Sequence, residues 1–378
     1  MHILIAPNAF KNSLDATNVA DAINEGLRQS HLNCTSKCFP VGDGGDGTGA
    51  LLIQHCNGTI IKTEVQDPLG RKIPSSFGLI DKGKTAVIEM ADASGLRLLK
   101  ANEFDPLHTS SAGTGELIKQ ALDRNVNKIL ICIGGSATVD GGAGILQALG
   151  FRFLDKHKKE INNIPEKLAD LDSIELSGID QRLNNCELVL LCDVENKLLG
   201  NQGAAAVFGP QKGASPAAIK KLEASLSKLK DIVLQQTGKD ISLIKHGGAA
   251  GGVAAGLSAL LNAQPVNGID HFLSLTGFDA ELEKADLVIT GEGSMDIQTL
   301  QGKGPFGVAV RAKKKKVPVI GLAGKIPLEI PADLKKYFDI LFSINHEAME
   351  LAEALKHTRE NLIRTAEAAG DTLALMNK

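Results

Sequence analysis

The sequence has little of what nucleic-acid-binding proteins use. It has no tryptophan, one tyrosine and 12 phenylalanines among 378 residues, and its net charge is −3. Aromatic rings stack on exposed bases, and a basic surface attracts the phosphate backbone. With few rings and no excess of positive charge, the sequence argues against a nucleic-acid partner.

Several common motifs are also missing. The chain has no G-x-x-x-x-G-K-[ST] loop, no G-x-G-x-x-G after a predicted strand and no protein-kinase signature. No apolar run reaches the roughly 18 residues that a membrane span needs, and the N-terminus has no basic segment before its short apolar run. We therefore expect a cytoplasmic protein without a membrane partner. If the protein binds a nucleotide, it does so through a loop of a different type from these motifs.

The six cysteines show no repeated C-x-x-C pairing, and three of them lie in apolar runs. This pattern predicts buried, reduced thiols rather than a zinc site.

The sequence is rich in glycine, with 40 residues, and short Val- and Ile-rich runs are followed by helical patterns. Such strands are typical of parallel β-α units, so we expect an α/β fold with mainly parallel sheets. The length suggests two domains. The sequence pattern changes between these regions, which predicts a middle domain of residues 68–285 and separates it from residues 1–67 and 286–378.

The segment ICIGGSATVDGGAG, residues 131–144, predicts a strand, a glycine-rich loop and a helix. Gly134, Gly135, Ser136 and Thr138 could offer backbone and hydroxyl groups to a phosphate, and Asp140 could contact a metal or accept a proton. A tight turn that needs glycine only for its backbone conformation is the alternative.

Two further loops combine glycine with acidic residues. Asp43 and Asp46 lie in VGDGGDGTGA, where they could contact substrate or magnesium or could simply cap a helix. Residues 288–309 contain Glu292, Asp296 and Lys303 directly after a predicted strand, where ligands of α/β proteins bind. We expect Lys303 just before a helix, where it could meet phosphate.

Three other segments carry weaker signals. Asp193 follows a strand in LLCDVENKLLG and could bind Mg²⁺ through oxygen. Lys11, after the first strand, is either a catalytic cation or an exposed lysine. Ser111 and Thr114 in HTSSAGTGELI lie before a helix and could bind an oxyanion.

Taken in order, these loops resemble the bacterial class I glycerate kinases along nearly the whole chain. The matching stretches are APNAFKNSL, GDGGDGT, HTSSAGTGELI, GGSATVDGGAG, CDVENKLLG, FGPQKGA and TGEGSMDIQTLQGKGP. The resemblance implies transfer of the γ-phosphoryl group of ATP to D-glycerate with Mg²⁺, with 2-phosphoglycerate favoured over 3-phosphoglycerate. It also implies two α/β domains without a P-loop, with the active site in the cleft between them. One would be flavodoxin-like, which we assign to residues 68–285, and the other would be assembled from both chain ends, residues 1–67 and 286–378.

The sequence departs from the family pattern at several positions. Asn8 and Ala9 replace a usual acid and hydroxyl, and Ser294 replaces a usual arginine after GEG. The lost arginine leaves open a kinase for another small hydroxy acid, and a non-catalytic sensor of nucleotides or sugar acids is the second alternative.

Phosphoryl transfer needs bound metal, cations at the phosphates and a proton acceptor. We therefore expect Asp193 and Glu292 near Mg²⁺, the loop 134–138 and Lys303 at ATP phosphates, and Lys11 neutralising charge. Asp296 or Asp140 would accept the hydroxyl proton. Ser111, Thr114, Asp43 and Asp46 complete the expected substrate and phosphate contacts, in a protein that is a monomer or a homodimer.

Overall fold

The structure is a computed structural model that describes residues 1–162, 164–347 and 349–376. The strands are β1 (His2–Ile5), β2 (Thr35–Cys38), β3 (Thr59–Gln66), β4 (Lys72–Ile80), β5 (Thr85–Glu89), β6 (Lys128–Cys132), β7 (Arg152–Asp155), β8 (Leu171–Glu175), β9 (Glu187–Cys192), β10 (Gln264–Asn267), β11 (Leu287–Ser294), β12 (Val319–Lys325) and β13 (Ile340–Ser343). The α-helices are α1 (Ala16–Gln29), α2 (Thr48–His55), α3 (Ala91–Ser94), α4 (Ala112–Leu122), α5 (Ala143–Ala148), α6 (Ala204–Phe208), α7 (Pro216–Thr237), α8 (Ala249–Leu261), α9 (Gly268–Leu275), α10 (Phe278–Leu282), α11 (Gly304–Lys314), α12 (Ala332–Lys335), α13 (Leu351–Lys356) and α14 (Thr358–Met376).

The chain forms two compact units, whose bounds differ from the predicted ones. The terminal unit comprises Met1–Asp43 and Ile269–Lys378, and the middle unit is Gly44–Gly268. The predicted boundary after residue 67 is wrong because β3 pairs with β4 along its whole length, which places it in the middle sheet. The boundary before residue 286 is wrong because residues from Ile269 onward pack in the terminal unit, where Ile269 lies against Gly307 of α11.

The terminal unit contains a five-stranded parallel sheet of order β2-β1-β11-β12-β13. Numbered within the unit, this is the order 2-1-3-4-5 of flavodoxin-like folds. The expectation of one flavodoxin-like domain is confirmed, but its assignment to residues 68–285 is wrong. The two ends of the chain jointly build this sheet, and short-range sequence patterns do not reveal such long-range pairing.

The middle unit contains a mixed six-stranded sheet of order β10-β9-β6-β5-β4-β3. Strands β10, β9, β6 and β5 run parallel to one another, whereas β4 pairs antiparallel with both β5 and β3. The hairpin β7–β8 forms a separate two-stranded sheet. The predicted α/β class with mainly parallel sheets is therefore confirmed.

Two of the longer helices begin at capping residues that the sequence shows. Asp15 caps α1 by accepting from the Asn18 amide, and Ser215 caps α7 by accepting from the Ala218 amide. The C-terminal region forms two helices, α13 and α14, interrupted at His357. Among the described residues no helix is both long and apolar enough to cross a membrane.

Candidate active site

Glu292 is a buried carboxyl group at the carboxyl end of β11. Its side chain is 7 % exposed, and its Oε1 accepts a hydrogen bond of 2.8 Å from Thr299 Oγ1. Lys303 Nζ lies 3.9 Å from its Oε2. Burial raises the pKa of Glu292 to about 7, although Lys303 and the Thr299 hydrogen bond oppose the shift. A carboxyl group with this pKa is sensitive to any charge that arrives beside it.

Asp43 is a second buried carboxylate of the terminal unit, and it joins two loops. Its Oδ2 accepts from Asn8 Nδ2 at 2.8 Å and from the Gly304 amide at 3.2 Å. The negative charge of Asp43 also contributes to the raised pKa of Glu292. Because β1 and β11 are parallel neighbours, the loops that follow them leave the same edge of the sheet.

The predicted cations and the predicted base of the terminal unit lie at this edge. Lys303 is the N-cap residue of α11, as predicted, and Pro305 follows in its first turn. Lys11 is exposed, and its charge lowers the pKa of Glu292. Asp296 is half-buried, and its amide donates to Thr299 Oγ1 at 3.2 Å. Carboxylates and lysines therefore meet on one sheet edge, as phosphoryl transfer requires.

Two glycine loops of the middle unit lie in contact. The Gly134 amide donates to the Gly44 carbonyl at 2.9 Å, and a Cβ atom on Gly134 would overlap Gly45. Gly135 is exposed and has a φ of +72°, which favours glycine. Gly44 in turn lies against the end of β9, the strand that Asp193 follows. Three loops that the sequence singled out separately thus converge in one unit.

Asp140 is fully buried and holds this region together. Its carboxylate accepts from the amides of Ser111, Gly142 and Gly144 at 3.0 to 3.2 Å and from Ser111 Oγ at 2.6 Å. With four donors and no exposed surface, Asp140 has no access to a substrate hydroxyl. The hypothesis that Asp140 is the base is therefore wrong in this geometry.

The expected oxyanion contacts of Ser111 and Thr114 are corrected for the same reason. Both side chains are fully buried, Ser111 on Asp140 and Thr114 in a 2.7 Å hydrogen bond with Ser94 Oγ. Thr138 is also fully buried, and its carbonyl oxygen, rather than its hydroxyl group, accepts a hydrogen bond from Lys212 Nζ. These hydroxyl groups stabilise the loops from within.

Asp46 belongs to a cluster that the sequence analysis missed. Glu89, at the end of β5, accepts from the amides of Gly47 and Gly49, and Asp46 lies 3.4 Å from Arg97. Arg97 also pairs with Asp92. Burial, with the charges of Asp92 and Asp46, raises the pKa of Glu89 to about 8, although the Gly47 hydrogen bond lowers it. The sequence signal that could have revealed this cluster is a glutamate at the end of a buried strand.

The cluster borders a cavity of about 250 Å³ within the middle unit. Its wall combines the glycine loop with apolar side chains such as Ile53, Phe77 and Val87.

The predicted metal ligands, Asp193 and Glu292, belong to different units. Asp193 is half-buried after β9, and the nearby Glu195 pairs with Lys245 at 3.0 Å. In the described part of the chain, no group of three or more His, Cys, Asp or Glu side chains is arranged to hold a metal ion. A shared metal site for these two residues stays a prediction.

The Glycerate kinase family profile matches residues 3–374. The chain belongs to the glycerate kinase family. It is 45% identical to the glycerate kinase of Bacillus subtilis over 366 residues, which covers 97% of this chain and 96% of that protein. It is 42% identical to the glycerate 2-kinase of Escherichia coli over 375 residues, or 99% and 98% of the two chains.

The fold has a matching solved structure within the glycerate kinases. A crystal structure of a Salmonella typhimurium LT2 chain, assigned to glycerate kinase 2, superposes with a TM-score of 0.82 at 43% identity. The match covers all of this chain and 99% of the other. The resemblance inferred from seven loop motifs is thereby confirmed, as is the prediction of a kinase.

Proposed function

We propose that this protein transfers the γ-phosphoryl group of ATP to the 2-hydroxyl of D-glycerate, giving 2-phosphoglycerate. The observation that carries the proposal is the sheet edge of the terminal unit, where Asp43, Glu292, Asp296, Lys11 and Lys303 meet. Family membership supports ATP and glycerate as substrates, and the name of the Escherichia coli relative supports the 2-position.

Mg²⁺ is the expected metal, and the carboxylates of the terminal unit fit it. Mg²⁺ typically binds one or two carboxylates together with substrate phosphates. Glu292 and Asp43 are buried oxygen donors. Burial, with a smaller contribution from the charge of Asp43, raises the pKa of Glu292, and a divalent cation would stabilise its ionised form. The cation would neutralise charge that develops on the transferred phosphoryl group. In the middle unit, Asp193 would be the oxygen donor.

The remaining polar groups bind, orient and accept a proton. Lys303, at the start of α11, and Lys11 would meet phosphate oxygens through their ammonium groups. Asp296 would accept the proton of the attacking hydroxyl group. In the middle unit, the loop of Gly134, Gly135 and Ser136 would meet phosphate, with Gly135 as its exposed residue, and the exposed Asp46 would face substrate.

The product distinguishes the two regiochemistries directly. Proton-coupled ³¹P NMR after incubation with ATP, Mg²⁺ and D-glycerate should show a new phosphoester doublet, because phosphorus at C2 couples to one carbon-bound proton. A triplet would identify 3-phosphoglycerate and overturn the 2-position. Binding of ATP without ADP release would instead favour the sensor.

A kinase for another small hydroxy acid is the second candidate, because Ser294 occupies the usual arginine position. Values of kcat/KM for D-glycerate, L-glycerate and tartronate test it, and a preference for either of the latter would replace D-glycerate as the substrate. We expect the reaction in the cytoplasm, where the six free thiols would stay reduced. We also expect no nucleic-acid partner and a monomer or homodimer.

A further inference from the structure

Lys212 is a buried lysine in the FGPQKGA motif, and the proposed mechanism gives it no role. Its side chain is 3 % exposed. It ends a short 3-10 turn, Pro210–Lys212, and Gly213 follows with a φ of +94°. A Cβ atom on Gly213 would overlap the backbone of Phe104. The turn is therefore fixed closely in place, with the lysine directed inward.

Both hydrogen-bond acceptors of Lys212 belong to the glycine loop 134–142. Its Nζ donates to Ser136 Oγ at 2.8 Å and to the Thr138 carbonyl oxygen at 2.7 Å. Thr138 Oγ1 is buried and has no hydrogen-bond partner in the described part of the chain. Burying an ammonium group costs free energy unless it is well partnered. A buried ammonium group beneath this loop therefore indicates a role beyond packing.

Asp140 is the charged group that faces Lys212, and it lies on the same loop. Its negative charge favours the ammonium form. Asp140 holds the loop to the start of α4 and α5 through Ser111 and Gly144, while Lys212 holds Ser136 and Thr138 from the other side. The exposed backbone at Gly135 is thus fixed by one buried cation and one buried anion.

We infer that Lys212 is a positioning residue for phosphoryl transfer, which fixes the loop 134–138 and supplies positive charge beneath its phosphate-facing backbone. The inference rests on the proposed function in that this loop meets ATP phosphates. It predicts a pH dependence of ATP binding. Burial lowers the pKa of Lys212 to about 7, although Asp140 opposes the shift. The positive charge is therefore present below this pH and is lost above it.

The substitution Lys212→Met, which keeps the length and removes the charge, tests the inference. In the wild type we expect KM for ATP to rise as pH increases through about 7, beyond the change caused by titration of ATP itself. In Lys212→Met we expect KM for ATP about tenfold higher at low pH, with that additional rise lost. The exposed Lys220 of α7 provides the matched control, and Lys220→Met should follow the wild-type profile. A Lys212→Met profile parallel to the wild type would overturn the inference.

Ser136→Ala provides a second variant if Lys212→Met does not fold. It retains the lysine but removes one acceptor of the ammonium group, so the midpoint of the KM profile should move to lower pH. An unmoved midpoint would contradict the inference.

Calorimetric binding of ADP separates this inference from the proposed function. If the wild type binds ADP but releases no phosphoglycerate, the proposed function fails. The Lys212→Met effect on ADP affinity, about tenfold at low pH, still tests the lysine. Equal ADP affinity of the two proteins across the pH range would overturn its role.

Discussion

Two buried carboxyl groups of this protein differ in their hydrogen-bond partners. In the described part of the chain Asp140 accepts from four donors and stabilises loops, whereas Glu292 accepts from one hydroxyl group and has a lysine 3.9 Å away. A carboxylate with unsaturated acceptor capacity can bind a metal or a proton during catalysis. The surroundings of these two carboxylates therefore predict a structural role for Asp140 and a functional one for Glu292.

Substitutions at Glu292 and Asp296 should have different kinetic consequences. Glu292→Gln should raise the Mg²⁺ concentration needed for half-maximal rate, because an amide oxygen is a weaker ligand than a carboxylate. Asp296→Asn should lower the single-turnover rate by about 10²-fold at saturating Mg²⁺, because the base is lost. Mg²⁺ titrations of both variants check this assignment, and reversed behaviour would exchange the two roles.

Glu89 should make the stability of the protein fall as pH rises. Its pKa is raised from the ordinary value of 4.5 to about 8, so the native state holds a proton that the unfolded chain has released between these values. The free energy of unfolding should decrease with pH across this window, and Glu89→Gln should flatten the decrease. Urea unfolding at several pH values measures it. Glu187 is exposed and provides the control. The Glu187→Gln variant should keep the wild-type change of unfolding free energy with pH.

The sequence predicted the placement of the terminal unit's candidate residues better than that of the middle unit's. Glu292, Lys303 and Asp43 follow strands or precede a helix, which places them at a sheet edge, and their roles stay predictions. Ser111 and Thr114 were misinterpreted because hydroxyl groups before a helix look alike in sequence whether they face a ligand or the protein interior. Burial depends on tertiary packing, which local patterns do not contain.

At the scale of elements, the contact between α1 and α14 depends on glycine. A Cβ atom on Gly26 of α1 would overlap the Ile363 carbonyl oxygen and lie 2.8 Å from Ala366 Cβ. Gly26→Ala should therefore force the two helices apart and destabilise the protein by about 1–3 kcal/mol, despite the better helix propensity of alanine. Thermal unfolding measures this change. Asp21→Ala on the exposed face of α1 should leave stability nearly unchanged.

Element positions were predictable from periodicity and caps, but strand order was not. The strands β1, β6 and β11 were all recognised as apolar runs followed by a loop or a helix. Their order depends on pairing between distant parts of the chain, such as Ile5 with Ile289. This is why the flavodoxin-like order was assigned to the wrong unit.

At the scale of the whole molecule, the unit bounds predict which fragment folds. A fragment of residues 44–268 contains every strand of the six-stranded sheet, whereas residues 68–285 lack β3 and α2. We expect a cooperative thermal transition from the first fragment and none from the second, because loss of β3 exposes the buried face of β4, including Phe77. Circular dichroism melts compare the two. Equal cooperativity would contradict these bounds.

The terminal sheet takes β1 and β2 from the first 43 residues and its other three strands from beyond residue 286. On the ribosome, β1 is therefore made before the middle unit, while its neighbour β11 is made after it. Domains generally fold as units during synthesis, so the middle unit can complete first. Meanwhile the apolar residues Ile3, Leu4 and Ile5 have no finished sheet to enter. Nascent chains stalled before β11 should thus be the species most dependent on chaperones.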